Sequence, residues 1–108
     1  METENLLAAL GTPMRYRIFS ALLERKHCVR SLSKEFSISE SAISQHLKIM
    51  REAGLVYGEK FGYHTHYFPQ QEAIDYLAQA FQHMSEQSSS LNRDTTACQC
   101  LYRKEEAR

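Results

Sequence analysis

The stretch "SLSKEFSISESAISQHLKIMREAGLV", residues 31–56, decides how this chain folds. Two runs with helical spacing stand on either side of a short break. In the first, Val29, Leu32 and Phe36 recur at intervals of three and four, which makes one face apolar. The break, "SIS", reads as a turn. From Glu40 the pattern is helical again through Ala53, where Gly54 supplies a C-terminal stop. At about 100° per residue, Ile43, Leu47 and Met50 fall on one side of this second helix. Ser41, Ser44, Gln45 and Lys48 fall on the other. Two short helices joined by a tight turn form a helix-turn-helix.

The flanking sequence completes a fold around that pair. Residues 3–10, "TENLLAAL", suit a short helix ending at Gly11. Thr12 as N-cap and Pro13 at the first helical position then start a helix with Met14, Ile18 and Leu22 on one face. After Gly54 the period changes. "LVYGEKFGYHTHYF" is β-branched and aromatic, with a turn centred on Gly62, and predicts a β-hairpin closed by Pro69. Residues 70 to about 90 return to helix, where Ile74, Leu77, Phe81, Met84, Ser88 and Leu91 mark a seam suited to lengthwise packing against another helix. The expected architecture is mainly α with a small β-hairpin, a winged helix-turn-helix whose 74–91 seam calls for a partner helix. Residues 1–91 form the DNA-binding and dimerisation domain, and residues 92–108 a flexible, cysteine-containing tail.

At 108 residues the chain is large enough for one modest core and small enough to gain from a partner subunit. No apolar run approaches the ~18 residues of a membrane span, and "METENLLAALG" has acids where a secretory signal has bases. A cytoplasmic protein without a membrane partner is expected. Three cysteines, an odd number, argue against a disulfide framework. No Gly-rich phosphate loop, Ser/His/Asp arrangement or closed metal set points to an enzyme.

Net charge is zero, but it is unevenly spread. Residues 14–66 hold nine Lys/Arg against five Asp/Glu and four of the five histidines. A basic middle between acidic ends is the footprint of a surface that faces phosphate. On the polar side of helix 40–53, small serines allow close approach to a major groove. Gln45 suits adenine, and Lys48 suits a guanine edge or a phosphate. A plain solvated face, or a winged helix used as a protein-interaction module that does not read DNA, is the competing reading.

"LGTPMRYRIFSALL", the 31–56 stretch and "GEKFGYHTHYF" together resemble the successive signatures of the ArsR/SmtB family of bacterial metal-responsive repressors, over roughly residues 5–88. The resemblance implies a homodimer joined through the first and last helices, a palindromic double-stranded operator, and release of DNA by an inducer. Carried over residue by residue, it puts DNA contacts on Ser41, Ser44, Gln45, His46 and Lys48, and wing contacts on Lys60 and Tyr63. His46 lies between the two faces of its helix, where a hydrogen bond at the helix edge competes with a phosphate contact.

The resemblance also points to inducer sites. One is a Cys-Val-Cys before the recognition helix. Here it reads Cys28-Val29-Arg30, too few sulfurs for As(III) alone, since a trigonal soft ion needs about three. A second lies on the last helix, across the dimer, where Glu72, His83 and Glu86 keep part of the spacing and Gln70 stands at a ligand position. A third draws on "ACQC", residues 97–100. Cys98 and Cys100 supply two thiolates, and the tail reaches about 20 Å past Leu91, so Cys28 can be the third. Thiolates select As(III), Sb(III) or a soft divalent ion such as Cd(II). A thiol/disulfide switch and an idle tail stay open as alternatives. His64 and His66, two apart on one strand, share a face but lack a third ligand nearby.

Overall fold

The computed structural model describes residues 2–96. Its elements run α1 (Thr3–Leu10), α2 (Pro13–Glu24), α3 (Val29–Phe36), α4 (Glu40–Glu52), β1 (Val56–Phe61), β2 (His64–Pro69) and α5 (Gln71–Ser89). This is the winged helix-turn-helix expected from the sequence. Thr12 caps α2, its hydroxyl accepting from the Arg15 amide at 3.2 Å, with Pro13 at the first position. Ser39 does the same for α4 through the Ala42 amide at 3.0 Å.

The helix-turn-helix turn is built by three serines. Ser37 adopts a left-handed conformation, φ 54°, which ends α3. The Ser33 hydroxyl donates to the Ile38 carbonyl across the turn, at 2.6 Å. Ser39 then opens α4. Leu32, Ile43, Leu47 and Met50 meet beneath this turn, each 1 % exposed or less. Burying a side chain of that size contributes about 1.5–3 kcal/mol. Leu6, Ile18, Leu22, Leu55, Val56 and Ala73 extend the same core into α1, α2, the hairpin and α5.

The hairpin pairs Val56 with Pro69 through Phe61 with His64, leaving the two-residue turn Gly62–Tyr63. Gly62 has φ +64°, whereas Tyr63 keeps the ordinary sign, the pattern of a type II′ turn that matches strand twist. The Tyr67 amide donates to the His27 carbonyl at 2.8 Å, so the loop between α2 and α3 adds a bridge to the wing.

The last helix departs from the expected seam. Leu77 and Ala73 are buried and Ile74 is partly buried, packed by α1. Phe81 and Met84 are 52 % and 45 % exposed, and Leu91 lies beyond the end of α5. The first third of the seam is therefore satisfied within the chain; among the described residues, its remaining apolar side chains stay exposed. Among the described residues, no helix is long and apolar enough to cross a membrane.

Candidate nucleic-acid interface

The two faces of α4 separate as their spacing requires. Ile43, Leu47 and Met50 point into the core, and Ser41, Ser44, Gln45 and Lys48 are all exposed. A polar face held by a fully buried opposite face cannot rotate or slide without opening the core. That rigidity fixes where each hydrogen-bonding group is presented.

Beside α4 stands the wing. Lys60 is exposed on β1, and Tyr63 is fully exposed at the hairpin tip. A two-stranded ribbon alone is marginal, and this one is stiffened by aromatic contacts on one face. Tyr57 stacks on Phe68 at 5.5 Å, Phe61 tilts against His66 at 4.7 Å, and Lys26 Nζ lies 5.0 Å from the Phe61 ring centre. His64 and His66 share that face, as alternation demands, but His66 is engaged by Phe61 rather than by a metal set.

His46 sits apart from the other α4 positions. It is half-buried, and its Nδ1 is enclosed without a hydrogen-bond partner. Burial, and then the nearby Arg15 guanidinium, hold its pKa below the ordinary value. His46 is therefore less exposed than the other α4 positions named for DNA contact. Arg15 itself donates to the Ala8 and Ala9 carbonyls at the end of α1, tying α1 to α2 beside the recognition helix.

Two residues with marked environments escaped the sequence reading. His27 is 2 % exposed in the α2–α3 loop. The Ser31 hydroxyl donates to the Cys28 carbonyl at 3.0 Å, and His27 Nδ1 lies 2.9 Å from the same hydroxyl. That geometry assigns the proton to Nδ1 and leaves Nε2 unpartnered. Burial and then Arg25 lower the His27 pKa against weaker pulls from Glu35 and Glu24. Arg15 is the other. Its role depends on the angle between α1 and α2, which no local pattern encodes.

The candidate inducer residues lie in different places. Cys28 is half-buried at the N-cap of α3 and is a free thiol. Burial pushes this thiol up, but the Ser31 amide and hydroxyl and the Arg30 amide turned toward it bring the pKa below its ordinary value overall. Cys98 and Cys100 lie outside the described residues. Glu72, His83 and Glu86 are exposed on α5. Eleven residues of helix separate Glu72 from His83 by about 16 Å, so one ion cannot bind both within a chain. Among the described residues, no three His, Cys, Asp or Glu side chains gather as a metal set.

Comparison with known proteins follows the same residues. The model of the arsR family of bacterial regulatory proteins matches residues 12–57. The HTH-type transcriptional repressor SmtB of Mycobacterium tuberculosis (strain H37Rv) is 42 % identical over 57 residues, 53 % of this chain. This chain spans 42 % of that relative's length, less than half. Among solved structures, a possible transcriptional regulator for arsenical resistance superposes with a TM-score of 0.68 at 28 % identity, over 82 % of this chain and 98 % of that one. Reduced HlyU from Vibrio cholerae is 30 % identical with a TM-score of 0.62, over 72 % of this chain and 83 % of its own.

Proposed function

This chain belongs to the arsR family of bacterial regulatory proteins, and on that premise we propose that it is a homodimeric transcriptional repressor that reads operator DNA and is released by an inducer. The observation that carries the reading is the division of α4. Ser41, Ser44, Gln45 and Lys48 stand exposed on a helix pinned by Ile43, Leu47 and Met50, with Lys60 and Tyr63 on the adjacent wing. Gln45 and Lys48 read base edges, the serines allow close approach, and Lys60 and Tyr63 contact the backbone. His46, half-buried at the edge of the same helix, is the remaining candidate contact to the DNA backbone.

The dimer is supported by two apolar features that one chain leaves uncovered. Phe81 and Met84 are exposed on α5. A shallow cleft of about 390 Å³ lies between α1 and α2, lined by Leu7, Leu10, Pro13 and Tyr16. A two-fold arrangement of α1 and α5 covers both and sets two recognition helices for a palindrome.

The inducer in this reading is a soft metal or metalloid, As(III), Sb(III) or Cd(II), held by the thiolates of Cys28, Cys98 and Cys100. A site of Glu72, His83 and Glu86 shared across the dimer is the weaker alternative. A thiol/disulfide switch is the second reading, for which Cys28 is a free thiol among the described residues. The deciding experiment titrates reduced protein against its own upstream DNA with As(III), Cd(II), Zn(II) and peroxide. Release by As(III) or Cd(II) that disappears in Cys98→Ser/Cys100→Ser supports thiolate sensing. Release by peroxide, reversed by dithiothreitol, supports the switch. No binding to upstream DNA under any of these conditions refutes the repressor reading.

A further inference from the structure

Of the α4 positions named for DNA contact, His46 alone is half-buried; Ser41, Ser44, Gln45 and Lys48 are exposed. At about 100° per residue its side chain leaves the helix about 100° from Gln45 and about 40° from Met50, on the shoulder between the polar and the buried face. The two ring nitrogens therefore meet different surroundings. Nδ1 is enclosed and has no hydrogen-bond partner, whereas Nε2 is left open to the outside.

That asymmetry selects a protonation state. A neutral imidazole carries one N–H and one lone pair. With the lone pair on Nδ1, the enclosed site leaves one weak acceptor unmet. With the proton there, a desolvated N–H lacks an acceptor and lies in the field of the Arg15 guanidinium. Protonating both nitrogens adds a full positive charge to that N–H, which burial first and then Arg15 disfavour. Arg15 keeps its place because it donates to the Ala8 and Ala9 carbonyls of α1. The neighbours of His46 one turn away on its own helix, Ala42, Ile43, Ile49 and Met50, carry no charge. Among the described residues, Arg15 is thus the ionised group that acts on the ring.

We propose that His46 meets operator DNA as a neutral imidazole protonated on Nε2, donating one hydrogen bond to a phosphate oxygen beside the major groove. A residue on the shoulder of a recognition helix faces the wall of the groove, where phosphates stand, rather than the base edges on its floor. A neutral donor displaces no counterion, so it adds nothing to sequence-independent attraction. It fixes instead how α4 is rotated in the groove, and with it where Gln45 and Lys48 are aimed. The DNA partner rests on the repressor reading; the protonation state of the ring does not.

Long-range proton–nitrogen NMR spectra of the reduced full-length protein at about pH 7, near the ordinary histidine range, read the ring directly. The ring signals lost in His46→Gln identify this residue. Nε2 is expected as the protonated nitrogen and Nδ1 as the bare one; a ring protonated on Nδ1, or a cationic ring, overturns the proposal whether or not DNA binds. For the contact, glutamine sets an amide N–H close to the place of Nε2, and asparagine close to that of Nδ1. His46→Gln should keep affinity for upstream DNA within about threefold, while His46→Asn and His46→Ala lose about tenfold. The log-log salt slope should stay at the wild-type value in all three, where removal of a cation lowers it by about 0.9. From about pH 8 to about pH 6 the affinities of wild type and His46→Gln should run parallel, whatever His64 and His66 of the wing add to both. A lower slope in His46→Ala, or a gain of affinity in acid that His46→Gln lacks, makes the ring a cation and overturns the proposal. Equal affinity of the glutamine, asparagine and alanine variants overturns the contact. Wild-type protein that binds no upstream DNA refutes the repressor reading and leaves the spectra decisive for the ring.

Discussion

Adjacent positions of α4 should separate stability from recognition. Leu47 is 1 % exposed, and Leu47→Ala removes three buried carbons. At ~0.8 kcal/mol per methylene the transfer loss is ~2.4 kcal/mol, and the hole left beneath the helix-turn-helix turn raises the total to ~3 kcal/mol. In a domain of this size each kcal/mol moves Tm by about 4–8 °C, so a fall of about 12–24 °C is expected. Gln45, two residues away, is exposed, and its side chain makes no hydrogen bond among the described residues. Gln45→Ala should therefore change stability by less than about 0.5 kcal/mol. If its amide pairs with adenine, the loss of affinity is ~1–3 kcal/mol, or about 5- to 150-fold. The assay is paired: thermal melts at one fixed protein concentration, because self-association of the kind proposed makes Tm concentration-dependent, and DNA titration well below both melting points. A large Tm loss in Gln45→Ala, or a Leu47→Ala protein as stable as wild type, would refute the assignment of faces. Full DNA affinity in the Gln45→Ala, Lys48→Ala double variant would refute the reading role.

Three further outcomes follow from the same geometry. Log affinity for DNA should fall linearly with log salt, and Lys48→Ala and Lys60→Ala should each reduce the slope by about 0.9 if each lysine meets one phosphate; unchanged slopes count against those contacts. Folding lowers the pKa of both His27 and His46, so the unfolded chain takes up protons first. Their contribution to stability is complete above the unfolded pKa of about 6.5 and is lost as pH falls from there toward the folded values. Melts between about pH 7.5 and about pH 5.5 should thus show a steeper decline in wild type than in His27→Gln, and parallel curves would contradict the buried, neutral His27. Arg15→Ala removes two charge-assisted bonds to the Ala8 and Ala9 carbonyls. It should cost about 1–2 kcal/mol in melts and weaken self-association in sedimentation, because α1 loses its tie to α2; an unaltered dimer constant would argue against the part given to α1.

The elements were legible because their signals are local. Thr12-Pro13, the alternation of apolar positions from Glu40 to Ala53, and the Gly62 turn each depend on residues within one or two turns of chain. The division of α4 into a buried and an exposed face follows from helical period alone, so the recognition candidates could be named before any packing was seen. The wing followed from its change of period.

Other features arise where distant segments meet. Nothing near His27 marks it as buried; it is enclosed because the α2–α3 loop bridges to Tyr67, forty residues on. His46 lies between two faces on the helical wheel, and only the packing around α4 encloses its Nδ1. The seam on α5 is continuous in the sequence, but a short α1 covers only its beginning, which leaves Phe81 and Met84 exposed. Cys28 appeared as half of a broken thiol pair. The tertiary structure sets it at a helix N-terminus, in a cleft whose other walls come from α4 and the wing. Periodicity determines which face of an element is apolar, because it needs only the neighbours along the chain. What fills the space beyond each face depends on how the elements are stacked, and that is decided by the packing of the whole core.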